Sequence, residues 1–164
     1  MERIQELTRK DILAGIDKGT KSRAKLVQRA TYLGVTRDYV VHMEVPSVTA
    51  NPPTKYLVKV KLLEYPAIEN EEDITTREKV RLALAGDVAI SCSCPAFLYW
   101  GFDYIVSQLG SKVGDTQTIF PKVRNPELSG VLCKHAYRTI SAFGSYWAKI
   151  AADIDSGNYL EVGG

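Results

Sequence analysis

Val88-Ala89-Ile90-Ser91-Cys92-Ser93-Cys94-Pro95 is the stretch on which the reading of this chain turns, together with Leu132-Cys133-Lys134-His135 further on. A short run of strand-favouring residues delivers the chain to two thiols, and Pro95 then suits the first turn of a helix. The second pair, Cys133 and His135, follows Cys94 after 38 intervening residues. Three thiolates and one imidazole form a closed tetrahedral donor set, the composition of a structural zinc site. In a regular strand Cys92 and Cys94 would point to opposite faces, and in a regular helix Cys133 and His135 would lie about 200° apart. Both pairs must therefore sit at bends, which Pro95 and Ser129-Gly130 supply.

The long spacer does not count against the site. Lengthening a loop from about ten to about forty residues costs on the order of 1.2 kcal/mol, because closure entropy grows only logarithmically. Structural zinc supplies about 10–16 kcal/mol of apparent binding energy in finger peptides. Zinc with three thiolates and a neutral imidazole carries a charge of about −1, which Lys134 is placed to offset. Two other readings weigh less. Ordinary buried cysteines with a surface histidine would not explain two paired spacings, and a Cys–His nucleophile needs one activated thiol rather than three. A catalytic zinc keeps an open position, and the deaminase pattern needs a glutamate beside its histidine and a Pro-Cys-x-x-Cys that this chain lacks.

Three cysteines, an odd number clustered beside a histidine, fit a reducing compartment better than a disulfide framework. The N-terminus MERIQELTRKD is too charged for a signal peptide, and no run of about 18 apolar residues predicts a membrane span. With 164 residues, 45% hydrophobic, the chain is expected to form a single domain over 1–164. A net charge of +2 gives the whole molecule no strong pull towards nucleic acid or membrane.

Outward from the cysteines, the predicted elements suggest an α+β fold. Residues 1–36 read as a helical, basic segment, with Thr8 and Asp11 as a capping pair before Ile12, Leu13 and Ile16. A second helix from near Ser22 would bury Leu26, Ala30 and Leu33, with Val27 beside them, and expose Lys18, Lys21, Lys25 and Arg29 as a basic stripe. Residues 37–92 read as antiparallel strands: Val41, Met43 and Val45, then Val58, Val60 and Leu62, recur with period two. The proline-rich link PSVTANPPT and the acidic link AIENEEDITT should be loops. Residues 77–92 are ambiguous, because Thr75 and Glu78 could cap a helix, but Val80, Leu82 and Leu84 alternate before Ala-Gly-Asp, and the expectation is a hairpin. Residues 92–155 form the zinc-binding helical region. A helix from Pro95 to about Leu109 presents Leu98, Phe102, Ile105 and Leu109, residues 110–130 are irregular, and a last helix spans about 134–154 with an interruption at Gly144.

The pattern C-x-C, spacer, C-x-H, carried by SCSCPAF and LCKH, resembles the SWIM zinc finger. The wider string SCSCPAFLYW … RNPELSGVLCKH is similar to SWIM-like proteins encoded by tailed bacteriophages. The resemblance covers about residues 88–140 and implies a zinc-tied binding module; the 38-residue spacer is longer than in most SWIM domains.

The resulting expectation is a helical N-terminal segment, a small antiparallel meander and zinc-stapled C-terminal helices, acting without catalysis as a protein-interaction or assembly module. The resemblance suggests a virion structural component of a phage head, tail or baseplate, located in the virion or host cytoplasm. Tyr99, Trp100 and Tyr104 are the expected partner surface, since aromatic residues anchor interfaces. The partners would be other proteins, with no membrane and no small-molecule substrate. The rival reading is a nucleic-acid-binding regulator using Lys18, Lys21, Lys25 and Arg29 against phosphates. His42, on a strand with no cysteine near it in sequence, reads as a polar face position.

Overall fold

A computed structural model of the chain describes residues 9–47 and 54–161. Thr8 of the expected capping pair, and most of the proline-rich link, lie outside them. Helices α1 (Arg9–Ala14) and α2 (Lys18–Ala24) precede strands β1 (Thr31–Val35), β2 (Val40–Pro46) and β3 (Lys55–Leu62). Helices α3 (Tyr65–Ile68) and α4 (Thr76–Ala85) lead to β4 (Val88–Cys92), followed by α5 (Pro95–Tyr99), α6 (Phe102–Gln108), α7 (Lys134–Ala142), a 3-10 turn at Phe143–Tyr146 and α8 (Trp147–Ser156). The architecture is mixed α+β, as expected.

The strands form one antiparallel sheet in the order β1-β2-β3-β4. Alternation decides which face is covered. Val41 pairs with Val60 and Met43 with Val58, and these four are fully buried with Val45, Leu62 and Ile90. Burying each such side chain contributes about 1.5–3 kcal/mol. Their neighbours His42, Glu44, Lys59 and Lys61 point the other way and stay partly exposed. Helix α7 packs across β2, β3 and β4 with Ala136 and Ile140 buried, and α8 packs on α4 through Ile150 and Ala151. Both sheet edges are partly covered. Leu160 N–H donates to Val35 O at 2.8 Å beside β1, and Ile90 N–H donates to Ser111 O at 2.7 Å beside β4.

Four expectations are corrected. The predicted hairpin at 77–92 is helix α4 followed by a single strand. The Thr75 hydroxyl accepts from Glu78 N–H while the Glu78 carboxylate accepts from Thr75 N–H, a complete capping box. Val80, Ala83 and Leu84 are buried at helical spacing, whereas Leu82, inward in the hairpin reading, is 54% exposed.

The helical segment 1–36 does not reach its predicted end. Helix α2 stops at Ala24, and Thr31–Val35 is an edge strand, so Leu26 and Leu33 are exposed although Val27 and Ala30 are buried. β-Branched and aromatic residues favour pairing there, and Tyr32 O–H donates to Asp153 Oδ2 of α8 at 2.6 Å.

The single helix expected from Pro95 breaks at Gly101, whose φ of 72° is left-handed. Its bare Cα lets Pro121 approach, since a Cβ would lie 2.3 Å from Pro121 Cγ. Of the predicted face, Phe102 is buried, Ile105 and Leu109 are half-buried and Leu98 is exposed, while α6 also buries Asp103, Val106 and Ser107.

Finally, Arg29 lies beyond α2 and does not continue the stripe. Its Nε donates to Tyr146 Oη at 3.1 Å and its Nη2 to Ser145 Oγ at 3.0 Å. The interruption expected at Gly144 is present as the 3-10 turn, with Phe143 and Tyr146 buried in it.

Candidate metal centre

Cys92 ends β4, Cys94 is the N-cap of α5, Cys133 is the N-cap of α7 and His135 is the second residue of α7. Both pairs thus occupy bends where a new helix starts. Ser93 fixes the first bend by taking over where the ladder ends. Its N–H donates to Leu57 O at 3.0 Å, and its Oγ accepts from Leu57 N–H at 2.9 Å. At the second bend Cys133 Sγ accepts from Ala136 N–H at 3.4 Å, a side-chain cap made by sulfur.

The spacer returns because Asn125 fastens it to the break after α5. Asn125 Nδ2 donates to Trp100 O at 2.9 Å and to Ser129 O at 3.0 Å, while its Oδ1 accepts from Ser129 N–H at 2.9 Å. Asn125 is buried, and Leu132 behind it enters the core just before Cys133. Residues 110–130 otherwise carry no helix or regular strand, as expected.

One ligand atom from each of Cys92, Cys94, Cys133 and His135 lies within 4.8 Å of the others. A tetrahedron with bonds of about 2.3 Å has edges of about 3.8 Å, so a small contraction brings all four to zinc. The three cysteines are free thiols, and the four residues are buried, with relative exposures of 2–8%. Both nitrogens of the buried His135 ring lack a hydrogen-bond partner among the described residues. An imidazole sealed in this way carries a desolvation cost of about 1–3 kcal/mol, which a metal bond removes. The donor set and its burial are consistent with one structural zinc.

The electrostatics point the same way. Among themselves the thiols favour one negative charge, on Cys94, whose pKa is lowered by hydrogen bonds from the Cys133 and Cys92 thiols. Burial and the neighbouring sulfurs hold Cys133 up. For Cys92, a bond with Cys133 pulls the pKa down, but the bond to Cys94 and burial outweigh it. A divalent cation reverses the preference at the two raised sulfurs, because coordination deprotonates a thiol outright. The N-termini of α5 and α7 add partial positive charge beside Cys94 and Cys133. Lys134 begins α7 and lines the cleft next to the cluster.

The other predicted residues scatter. Lys18, Lys21 and Lys25 are exposed on or beside α2, and Arg29 is tied to Tyr146. Tyr99 and Trp100 are 58% and 47% exposed, while Tyr104 is half-buried with its ring edge-on to Phe120 at 5.6 Å. His42 lies on the open sheet face, outside the cluster. Sequence reasoning missed Ser93, Asn125 and Tyr56, whose ring lies 4.7 Å from that of His135. The Asn-Pro dipeptide marked a turn at Asn125, but nothing local marked its long-range bond to Trp100.

No helix among the described residues is long and apolar enough to cross a membrane. No curated protein and no solved structure matches the chain. The SWIM zinc finger family model does match, over residues 78–144, a stretch that contains all four clustered side chains and whose family members are typically binding modules.

Proposed function

We propose that this chain is a non-enzymatic, zinc-stabilised protein-interaction module that works within a larger assembly. The observation that carries the reading is where the exposed apolar side chains fall. Leu98 and Tyr99 on α5, Trp100 at its end, and Ile119, Phe120, Val123 and Leu128 on the spacer, are 37–84% exposed. The two segments touch, through Pro121 against Gly101 and Asn125 against Trp100. Seven of the ten large apolar side chains exposed among the described residues fall on these two segments, and such a gathering marks a surface that another molecule covers. The zinc would hold both ends of the spacer, so that a surface with little secondary structure stays rigid. Tyr99, Trp100 and Tyr104 belong to this surface, and the Arg124 guanidinium sits 5.8 Å from the Tyr99 ring centroid at its margin.

The string SCSCPAFLYW … RNPELSGVLCKH supports a finer reading, a structural component of a phage head, tail or baseplate. Mass spectrometry of purified particles from the source tests it: stoichiometric presence supports the role, and absence from the particle removes it.

A nucleic-acid-binding regulator is the second reading, favoured by the exposed Lys18, Lys21 and Lys25 on a helix with no acidic residue between 18 and 25. The two differ in salt dependence. Phosphate contacts weaken steeply as salt rises, whereas docking through a largely apolar surface changes little. Binding to the assembly partner that stays within about twofold between 50 and 300 mM salt supports the first reading.

A further inference from the structure

Beside the metal centre lies a cleft of about 600 Å³, within the range of specific ligand sites. It opens where α2, the break between α5 and α6, and the start of α7 meet. Ala96, Phe102 and Trp100 line it as apolar surface, and Trp100 also belongs to the exposed patch. Arg23 and Lys134 bring two cations to its wall. Neither is in a salt bridge among the described residues; Arg23 Nη2 donates to Thr20 Oγ1 at 3.2 Å, and its charge also acts on the Asp17 carboxylate. Asp17 is the acidic group in the wall, and its carboxylate is engaged by Thr20 N–H at 3.0 Å and Thr20 Oγ1–H at 2.6 Å.

The charge around the cleft is lopsided. Residues 17–25 and 121–134 hold seven cationic side chains against Asp17 and Glu127, so the remainder of the chain is net acidic although the whole carries +2. Lys18, Lys21 and Lys25 lie on the side of α2 away from Arg23, and they add to the field around the opening rather than to its lining.

We infer that the cleft receives an acidic segment of a partner protein, with one large apolar side chain seated against Trp100 and Phe102 and flanking carboxylates on Arg23 and Lys134. This inference rests on the interaction-module reading and deepens it. The apolar wall of Ala96, Phe102 and Trp100 beside two cations matches a large apolar side chain flanked by carboxylates.

The test uses the full, zinc-loaded chain as bait for a displayed library of random twelve-residue peptides. The most enriched peptide is then synthesised and its affinity measured by fluorescence anisotropy. Enrichment of Asp and Glu around a Trp, Phe or Leu is expected, with affinity falling at least tenfold in Arg23→Glu and in Trp100→Ala. Zinc content and melting of both variants are measured alongside, since each change is at the surface. Peptides lacking acidic residues, or unchanged affinity in both variants, would overturn the assignment. So would tighter binding of a twelve-nucleotide oligothymidylate that Arg23→Glu abolishes. Peptides that bind but are lost only in Val123→Glu would remove the cleft and keep the interaction module, whereas no enrichment at all would remove both.

Discussion

The imidazole of His135 lies against the ring of Tyr56, with centroids 4.7 Å apart and planes tilted by 59°, and both of its nitrogens are sealed without a hydrogen-bond partner among the described residues. A polar ring placed by the helix start and closed over by a strand residue needs a bond from elsewhere, and the thiols of Cys92, Cys94 and Cys133 say what supplies it. The expected result is one zinc per chain by elemental analysis of the reduced protein. Cys133→Ser should lower metal content and cost several kcal/mol, because the zinc bonds are part of the folding free energy. Unchanged melting of the wild-type protein in a strong chelator would remove the site.

Asn125 tests whether the spacer is held by its own bonds or by zinc alone. Replacing it with Ala leaves the Trp100 carbonyl, the Ser129 carbonyl and the Ser129 N–H without their partner. The expected cost is about 1–3 kcal/mol in denaturant unfolding, with zinc stoichiometry retained. A loss of zinc with a cost of several kcal/mol would mean that Asn125 acts through the entry of Cys133 to the cluster.

The metal ligands were legible because chemistry, spacing and bend signals converge at Cys92–Pro95 and Ser129–His135. Strands β2 and β3 were legible because Val41, Met43, Val45, Val58, Val60 and Leu62 keep strict period two over a one-sided sheet. Helix α4 was not. Val80, Leu82 and Leu84 alternate by accident, and only the choice between Ala83 and Leu82 as the core residue separates the two readings, a choice made by α8 packing against it. Strand β1 was hidden for a related reason, since Leu26, Ala30 and Leu33 mimic a helical stripe. What makes Thr31–Val35 a strand is pairing with β2 and the tail at Leu160, both distant in sequence. The exposed patch was only half visible, because an aromatic run does not say which rings the fold will cover.

A capping box starts α4, so Thr75→Ala should cost about 1 kcal/mol by loss of the side-chain bond to Glu78 N–H. Glu78→Ala should cost less, and the double variant should fall short of the sum, because the two changes break one reciprocal unit. Strict additivity in urea unfolding would argue against the box.

Gly101→Ala should destabilise by about 2–4 kcal/mol, combining left-handed strain with overlap on Pro121. Gly114→Ala provides the comparison, since its φ of 92° is strained in the same sense but a Cβ there meets nothing within 4 Å. A cost at Gly101 equal to that at Gly114 would show that Pro121 simply moves aside.

Asp17 gives a prediction with a sign in pH. Partial burial pushes its carboxyl up, but the Thr20 hydroxyl and N–H bonds, with Arg23 nearby, pull it further down, so its folded pKa lies below the ordinary value. The ionised form is therefore favoured by folding. Its contribution is fully present above the unfolded value of about 3.9 and is lost as pH falls through the lowered folded value. At pH 7, Asp17→Ala should cost about 1 kcal/mol as an N-cap loss at an exposed position. Between pH 5 and pH 2 the gap between wild type and variant should close, while Asp17→Asn, which keeps a capping oxygen, should show a smaller and flatter gap throughout. A gap for Asp17→Ala that widens on acidification would mean that the carboxyl caps α2 better protonated, contrary to the bonds it accepts from Thr20.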